Sequence, residues 1–581
     1  MRGVGALSFV LLLLGWPAAA FGQDGPPPPQ SFGPDSERTY IFTGTGTTGL
    51  DCQGSTDAGW QCTGFLPSFD RTLLDVRLAV PAGSGPHPLV AIQHGWGGSN
   101  GSFGYLADPL FADGLAVLRY SARGFGASWG QVNLADINVE LADLRSVVGQ
   151  VVDVAALNLN PDAVGVIGAS YGGGQSWLAL LQPTFDSPQG AHVRIRTVVP
   201  IVPWSDLVYS LAPNGRPQFS LDPPGSAKLS YINGLYFGGL RTSLERPYPN
   251  YPDYLVTWHA WLNAMEPNRV DPVYRQLVDG AAGYRSIWWQ QQFWTTGVAN
   301  RVPVFQVQGL TDDLFPLPEA KRMLLALKSV DQSYPIASYF GDLGHPRASN
   351  KPQERDYVVG LIRPWFAYYL RGIGAEPPHV VRAAITRPRS QPFTAADVIT
   401  VESFAALASG TIERKFHRHA TLVNPASDPY SGFYWDPLIM DAAAELQPLP
   451  APPDAPLVAR SFAIFAVDVA ELTGGSALLL AGQPAVSLRA STAAPRVQLN
   501  VRLLDVAPDG SKELITRGTF ILEGPATNAD ITIPTYGNVW QAQPDHTLRL
   551  EITNLDTPYV APSRVPSVTD ISQVVLEIPV R

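Results

Sequence analysis

Only two of the 581 residues are cysteine and four are methionine, and 15% are charged. Two thiols with no histidine nearby are too few ligands for a structural metal site. No run of lysine and arginine is present, and the formal net charge is -10 with a pI near 5.4. That balance leaves little to neutralise phosphates, so nucleic acid is not an expected partner. Past the first 20 residues, no stretch approaches the roughly 18 unbroken apolar residues that a membrane-spanning helix requires. Internal repeats are also lacking. What the chain has in quantity is turn formers, 53 glycines and 54 prolines, in a sequence that is 45% hydrophobic. This length is too great for one ordinary domain, and two or three are expected.

The N-terminus reads as an export signal over residues 1–22, with Arg2, the apolar core "ALSFVLLLLGW" and the small residues "AAA". The core is too short for a comfortable span. A Pro-rich linker over 23–38 follows, and a secreted or periplasmic location is expected. In that setting Cys52 and Cys62 of "LDCQGSTDAGWQC" form a disulfide candidate. In the chain-entropy model so short a loop contributes roughly 2.5–3 kcal/mol at most.

From about 70 to 375 short apolar strands alternate with helices. "TLLDVRLAVP" (72–81) alternates like a half-buried antiparallel strand. "PLVAIQ", "GLAVLRY", "AVGVIG", "RTVVPIV", "VPVFQVQ" and "PIASYF" are continuous apolar runs, as in strands covered on both faces. Residues 137–157 carry helical spacing, and 354–372 read as a helix that Pro364 should kink or split. These features predict a mostly parallel sheet wrapped by helices. An aromatic-rich stretch over about 205–300 breaks the rhythm and reads as a helical cap. After 375 short alternating runs and turns such as "APDGS" predict an all-β sandwich, with "LQPLPAPPDAP" (446–456) as a connector. The expected domains are therefore 39–375 and 376–581.

Within "GASYGGG", Gly168-Ala169-Ser170-Tyr171-Gly172 is G-x-S-x-G between a strand and a helix, the context of a nucleophile elbow. A serine hydroxyl needs a base and an orienting acid, in the order serine, acid, histidine. "VPVFQVQGLTDDLFP" offers Asp312, three residues after Gly309, with Asp313 as the alternative; "PIASYFGDLGHPR" offers His345. "HGWGG" (94–98) can aim the backbone N–H of Trp96 at a developing oxyanion, and the N–H of Tyr171 supplies a second donor. The glycines of "RYSARGFGASWGQ" (119–131) read as structural. His417 and His419 in "KFHRH" read as solvent-facing residues of a strand.

The motifs "HGWGG", "RGFGAS", "GASYGGG", "GLTDDLFP" and "GH" (344–345) resemble those of α/β-hydrolases, more narrowly the Xaa-Pro dipeptidyl-peptidase and cocaine-esterase group. The tail "PAVSLRASTAAPRVQLNVRLLDVAPDGSKELITRGTF" is similar to that group's C-terminal jelly-roll, a galactose-binding-like sandwich. The resemblance implies Ser170 as nucleophile, Asp312 as acid and His345 as base, with no metal or organic cofactor. It implies a small ester or peptide substrate, cleaved by a dipeptidyl-peptidase or by a carboxylic-ester hydrolase. The group's elbow often reads S-Y-L-G where this chain has S-Y-G-G, and many members use a tyrosine side chain in the early oxyanion loop, where this chain has "HGWGG". A non-catalytic glycan-binding protein on the same scaffold is the rival from another class.

Overall fold

The computed structural model describes residues 49–216, 220–241, 248–268, 270–424, 462–556 and 559–581. The export signal, the Pro-rich linker and the 446–456 connector lie outside these residues.

A 12-stranded sheet organises the first part of the chain. It opens with the hairpin β1 (Gly49–Ser55) and β2 (Gly59–Pro67), followed by β3 (Leu73–Val80), β4 (His87–Gln93), β5 (Ala116–Tyr120), β6 (Leu159–Ala169), the short β7 (Thr184–Asp186) and β8 (His192–Ile201). It continues through β9 (Val304–Gly309), β10 (Ile336–Gly341), β11 (Val381–Ala384) and β12 (Val398–Val401). The order is β1-β2-β3-β5-β4-β6-β8-β9-β10-β11-β12, with β7 on β8. Pairing is parallel from β5 through β11 and antiparallel at both edges.

The continuous apolar runs become the central parallel strands because both of their faces are covered. Alternate residues enter two different cores: Leu89, Ala91, Val164 and Val166 go to one face. Val90, Ile92, Ile167 and Val307 go to the other, under Trp365 and Phe366. The hairpin β1–β2 places Cys52 opposite Cys62, and the two form a disulfide.

Two local expectations are corrected. Pro364 does not split the helix: residues Pro352–Arg371 form one element. Proline has no N–H, so the helix runs through this position without the bond that residue 364 would otherwise make to the Gly360 carbonyl. The sheet also runs beyond 375, because β11 and β12 add to its edge.

Between β8 and β9 the chain inserts helices Leu207–Leu211, Leu229–Arg241, Asp253–Ala264 and Pro272–Arg285 over the carboxyl ends of the strands. The last begins at Asp271, whose side chain accepts from the N–H groups of Val273 and Tyr274, with proline at the first helical position.

The remaining chain is an all-antiparallel sandwich. A seven-stranded sheet centred on Ser567–Val580 packs on a four-stranded sheet ordered Phe462–Asp468, Thr547–Thr553, Arg496–Val506, Lys512–Glu523. Its core is separate, with Leu499, Val501, Ile515, Leu550 and Ile578 fully buried or nearly so. The "APDGS" turn links two of these strands through Ala507 N–H to Ser511 O, 3.0 Å, with Gly510 at φ 85°. His417 and His419 are exposed, as expected. They lie in the connection after strand Gly410–Phe416 rather than within a strand.

Candidate active site

Ser170 stands between β6 and the helix Tyr171–Leu178 with φ 57° and ψ -113°, a strained backbone for a residue with a Cβ. The glycines around it exist because nothing larger fits. A Cβ on Gly172 would lie 2.1 Å from the carbonyl oxygen of Gln93, and one on Gly168 would lie 2.5 Å from the Gly172 backbone. On Gly174 a Cβ would enter the ring of Trp204 at 2.4 Å.

The turn lifts the Ser170 hydroxyl to 2.7 Å from Nε2 of His345. Nδ1 of His345 is 2.7 Å from Oδ2 of Asp312, which also accepts the His345 backbone N–H at 3.1 Å. A carboxylate only accepts, so Nδ1 carries the proton and Nε2 accepts from the serine. Oδ1 of Asp312 accepts from the N–H groups of Leu314 and Phe315, both at 3.0 Å. The carboxylate is fully buried and each oxygen is held by two donors. Gly344, at φ 125°, leaves room for it: a Cβ there would sit 2.2 Å from Oδ2.

Asp313 faces away from His345. Arg347 donates to both of its oxygens, from Nε at 2.8 Å and Nη2 at 2.7 Å. Burial opposes its charge, yet Arg347, Arg517 and Lys228 together hold its carboxyl below the usual range. Lys228 is buried too and donates to the carbonyls of Asp313 and Leu314 at 2.6 and 2.9 Å. Burial brings its ammonium down to about 7, against the pull of Asp313. Tyr559 of the sandwich donates to the same Asp313 carbonyl at 3.0 Å. No sequence pattern marked Lys228, Arg347 or Tyr559, because they converge from three separate parts of the chain.

The 94–98 loop lies against Ser170: a Cβ on Gly95 would sit 3.7 Å from that of the serine. His94 is fixed in its neutral form: its Nε2 accepts from the Ala122 N–H at 2.8 Å and its Nδ1 donates to Gly95 O at 2.7 Å. Burial lowers its pKa to about 4. The Trp96 indole N–H donates to the carbonyl of Leu235 in the cap, 2.8 Å away, so the side chain is committed elsewhere. The backbone N–H groups of Trp96 and Tyr171 have no hydrogen-bond partner among the described residues. The 119–131 loop is held by Arg123, fully buried and paired with Asp143 and Asp70 at 2.6 and 2.9 Å.

Two chambers open at Ser170. One, of about 140 Å³, lies under the cap and is walled by Trp204, Leu207, Leu235, Trp258, Trp261 and neighbouring apolar side chains. The other, of about 400 Å³, is bounded by Phe103, Tyr105, His345 and Arg355. Among the described residues, no group of three or more His, Cys, Asp or Glu side chains is placed to hold a metal ion.

A parallel sheet with a capped carboxyl edge, a strained serine at a strand–helix turn and a histidine bridging it to a buried aspartate define a serine hydrolase of the α/β-hydrolase fold. Residues 70–345 match the family described as X-Pro dipeptidyl-peptidase (S15 family). Residues 475–564 match the X-Pro dipeptidyl-peptidase C-terminal non-catalytic domain. The chain belongs to this X-Pro dipeptidyl-peptidase and cocaine-esterase-like group.

Solved structures with a similar fold include an aminopeptidase from the marine sediment archaeon Thaumarchaeota archaeon, with TM-score 0.61 and 14% identity over 91% of this chain and 98% of that one. An α-amino acid ester hydrolase has TM-score 0.60 and 15% identity over 92% and 98%. A CocE/NonD family hydrolase from Staphylococcus aureus has TM-score 0.59 and 12% identity over 92% and 97%. At these identities the likeness is one of fold. No curated protein matches the chain.

Proposed function

We propose that the protein hydrolyses carboxylic esters whose acyl group is apolar and uncharged, through an acyl-enzyme on Ser170. Ser170 Oγ attacks the ester carbonyl carbon while His345 Nε2 takes its proton. Asp312 holds the imidazole tautomer and supports the imidazolium. The Trp96 and Tyr171 N–H groups donate to the oxyanion; one such donor is worth about 3–4 kcal/mol in the transition state. The C–O bond then breaks, and the leaving oxygen takes the proton from Nε2. Water repeats the attack on the acyl-enzyme, passing its proton through His345 to Ser170 Oγ. The sum is ester plus water giving acid plus alcohol.

The observation that carries this reading is the chamber beneath the cap. No described residue lining it bears a carboxylate. A dipeptidyl-peptidase must hold the charged amine of its substrate, and an unpaired ammonium in such surroundings is costly. X-Pro dipeptidyl-peptidase activity, favoured by both family matches, stands as the second reading. The disulfide supports an extracytoplasmic location.

The test compares 4-nitrophenyl butyrate with Ala-Pro-4-nitroanilide on purified protein. Serine-dependent turnover of the ester with none of the anilide is expected. Efficient release from the anilide, abolished in Ser170→Ala, would establish the peptidase instead.

A further inference from the structure

The two chambers are not equivalent with respect to His345. Trp96 and Leu235 belong to the walls of both, joined by the indole hydrogen bond at 2.8 Å, and so form the partition above Ser170. His345 lines only the larger chamber. In ester cleavage the proton taken from Ser170 must be returned to the departing oxygen, which has to lie within hydrogen-bond reach of Nε2. The departing alcohol therefore belongs on the side that His345 lines, and the acyl group belongs in the smaller apolar chamber. An apolar cavity of about 150 Å³ takes up a molecule the size of benzene, so the 140 Å³ chamber suits a short or single-ring acyl group.

The larger chamber differs in chemistry as well as in volume. Phe103 and Tyr105 meet edge to face with centroids 5.9 Å apart, forming an aromatic wall. Arg355, on the helix Pro352–Arg371, lies over the Tyr105 ring at 5.0 Å. Among the described residues lining either chamber, Arg355 bears the sole permanent charge. Its guanidinium makes no hydrogen bond to a described residue. Its one ion pair, to the adjacent Asp356, is 3.5 Å long, with the two side chains 44% and 71% exposed. Such solvent-screened pairs are worth little. A planar fork of donors beside an aromatic wall matches a carboxylate on a flat or compact scaffold.

Resting on the esterase reading, we propose that the larger chamber receives the leaving group and that Arg355 selects alcohols or phenols carrying a carboxylate. The substrate class is then an ester between an apolar acid and a hydroxy- or phenolic acid.

The test uses full-length protein and two chromogenic esters with the same acyl group, 4-nitrophenyl butyrate and 3-carboxy-4-nitrophenyl butyrate. The carboxylate alters intrinsic reactivity, so the quantity read is the ratio of the two kcat/KM values across variants. Arg355→Met is expected to lower the carboxylated-to-neutral ratio about tenfold, as loss of a charge-assisted contact should. The neutral ester serves as the reference, so a change common to both esters cancels in the ratio. Arg355→Lys should restore part of the ratio, and raising salt should shrink it in the wild type. Equal ratios in wild type and Arg355→Met, with the neutral ester still cleaved, would overturn the subsite and leave the esterase standing. Turnover of neither ester above the Ser170→Ala background would remove the esterase reading and the leaving-group assignment together. A binding measurement separates the two further: 5-hydroxy-2-nitrobenzoate should bind Ser170→Ala more tightly than it binds Ser170→Ala/Arg355→Met.

Discussion

Arg347 closes its guanidinium fork on Asp313 and so ties the loop that carries His345 to the loop that carries Asp312. Its remaining nitrogen donates to Leu514 O of the sandwich at 3.0 Å, which anchors the clasp to the second domain. The Arg347 backbone sits at φ 97°, a region that non-glycine residues occupy only when surrounding contacts hold them there. Removing the fork should let the histidine loop relax by a fraction of an ångström to an ångström. Arg347→Met is thus expected to lower kcat by about 10²-fold with KM little changed. Stability should fall by roughly 3–5 kcal/mol, because Asp313 is left buried without its main partner. Arg347→Lys should recover part of both. Steady-state kinetics beside thermal unfolding checks this, and unchanged kcat in a folded Arg347→Met would refute it.

The adjacent aspartates should separate cleanly on substitution. Asp312→Asn keeps the shape but no longer stabilises the imidazolium or enforces the productive tautomer; a drop in kcat of about 10⁴-fold is expected. Asp313→Asn does not touch His345 and acts through the loop that Arg347 clasps, so it should cost less than about 10²-fold, with a larger loss of thermal stability as Arg347 and Arg517 lose their carboxylate. Equal losses of kcat from the two, with circular dichroism showing both folded, would contradict these roles.

Glycine-to-alanine changes should sort by space rather than by helix propensity. At Gly172 the added methyl meets the Gln93 carbonyl at 2.1 Å, a backbone atom in the central sheet, so Gly172→Ala should yield little folded protein. At Gly360, nothing lies within 4 Å of the added carbon and the site is inside a helix. Gly360→Ala should stabilise by about 0.5–1 kcal/mol. Soluble yield and melting temperature give the comparison, and a Gly172→Ala protein of wild-type stability would show that the elbow tolerates the shift.

The sequence made the catalytic sheet legible because its central strands are continuous apolar runs, a pattern that only burial on both faces requires. The convergence of Ser170, Asp312, His345 and Trp96 was legible for a related reason: each lies in the loop or turn that leaves such a run, at a carboxyl end where side chains converge. The choice between Asp312 and Asp313 was not legible. The two residues are consecutive, and only the turn that brings Leu314 and Phe315 N–H groups onto Oδ1 decides which one faces the histidine. The β1–β2 hairpin was missed because its strands are Gly-rich and half exposed, without clear alternation. The chambers were invisible for a different reason: cap aromatics announce an apolar interior, but whether they meet or stand apart depends on helix packing. Arg355 gave no signal either, since one arginine in an amphipathic helix reads as a solvated face.

Behind Ser170, Glu140 should give the fold a pH dependence of unusual sign for a carboxylate. It is buried beneath Tyr171, whose hydroxyl donates to it at 3.2 Å, and it accepts the N–H groups of Asn133 and Asp136 at 2.6 and 2.9 Å. Those donors favour the charged form, and Arg123 does too. Burial outweighs them and raises its pKa to about 8 from the usual 4.5. The folded protein therefore holds a proton that the unfolded chain has released between these two values. Stability is fully present below the lower value, declines as pH rises, and is lost through about pH 8. Inside the window the slope is roughly 1.4 kcal/mol per pH unit. Glu140→Gln keeps the shape and cannot ionise, so its melting temperature, measured from pH 6 to 9, should fall less than that of the wild type. Parallel curves for the two proteins would mean that Glu140 remains charged in the fold.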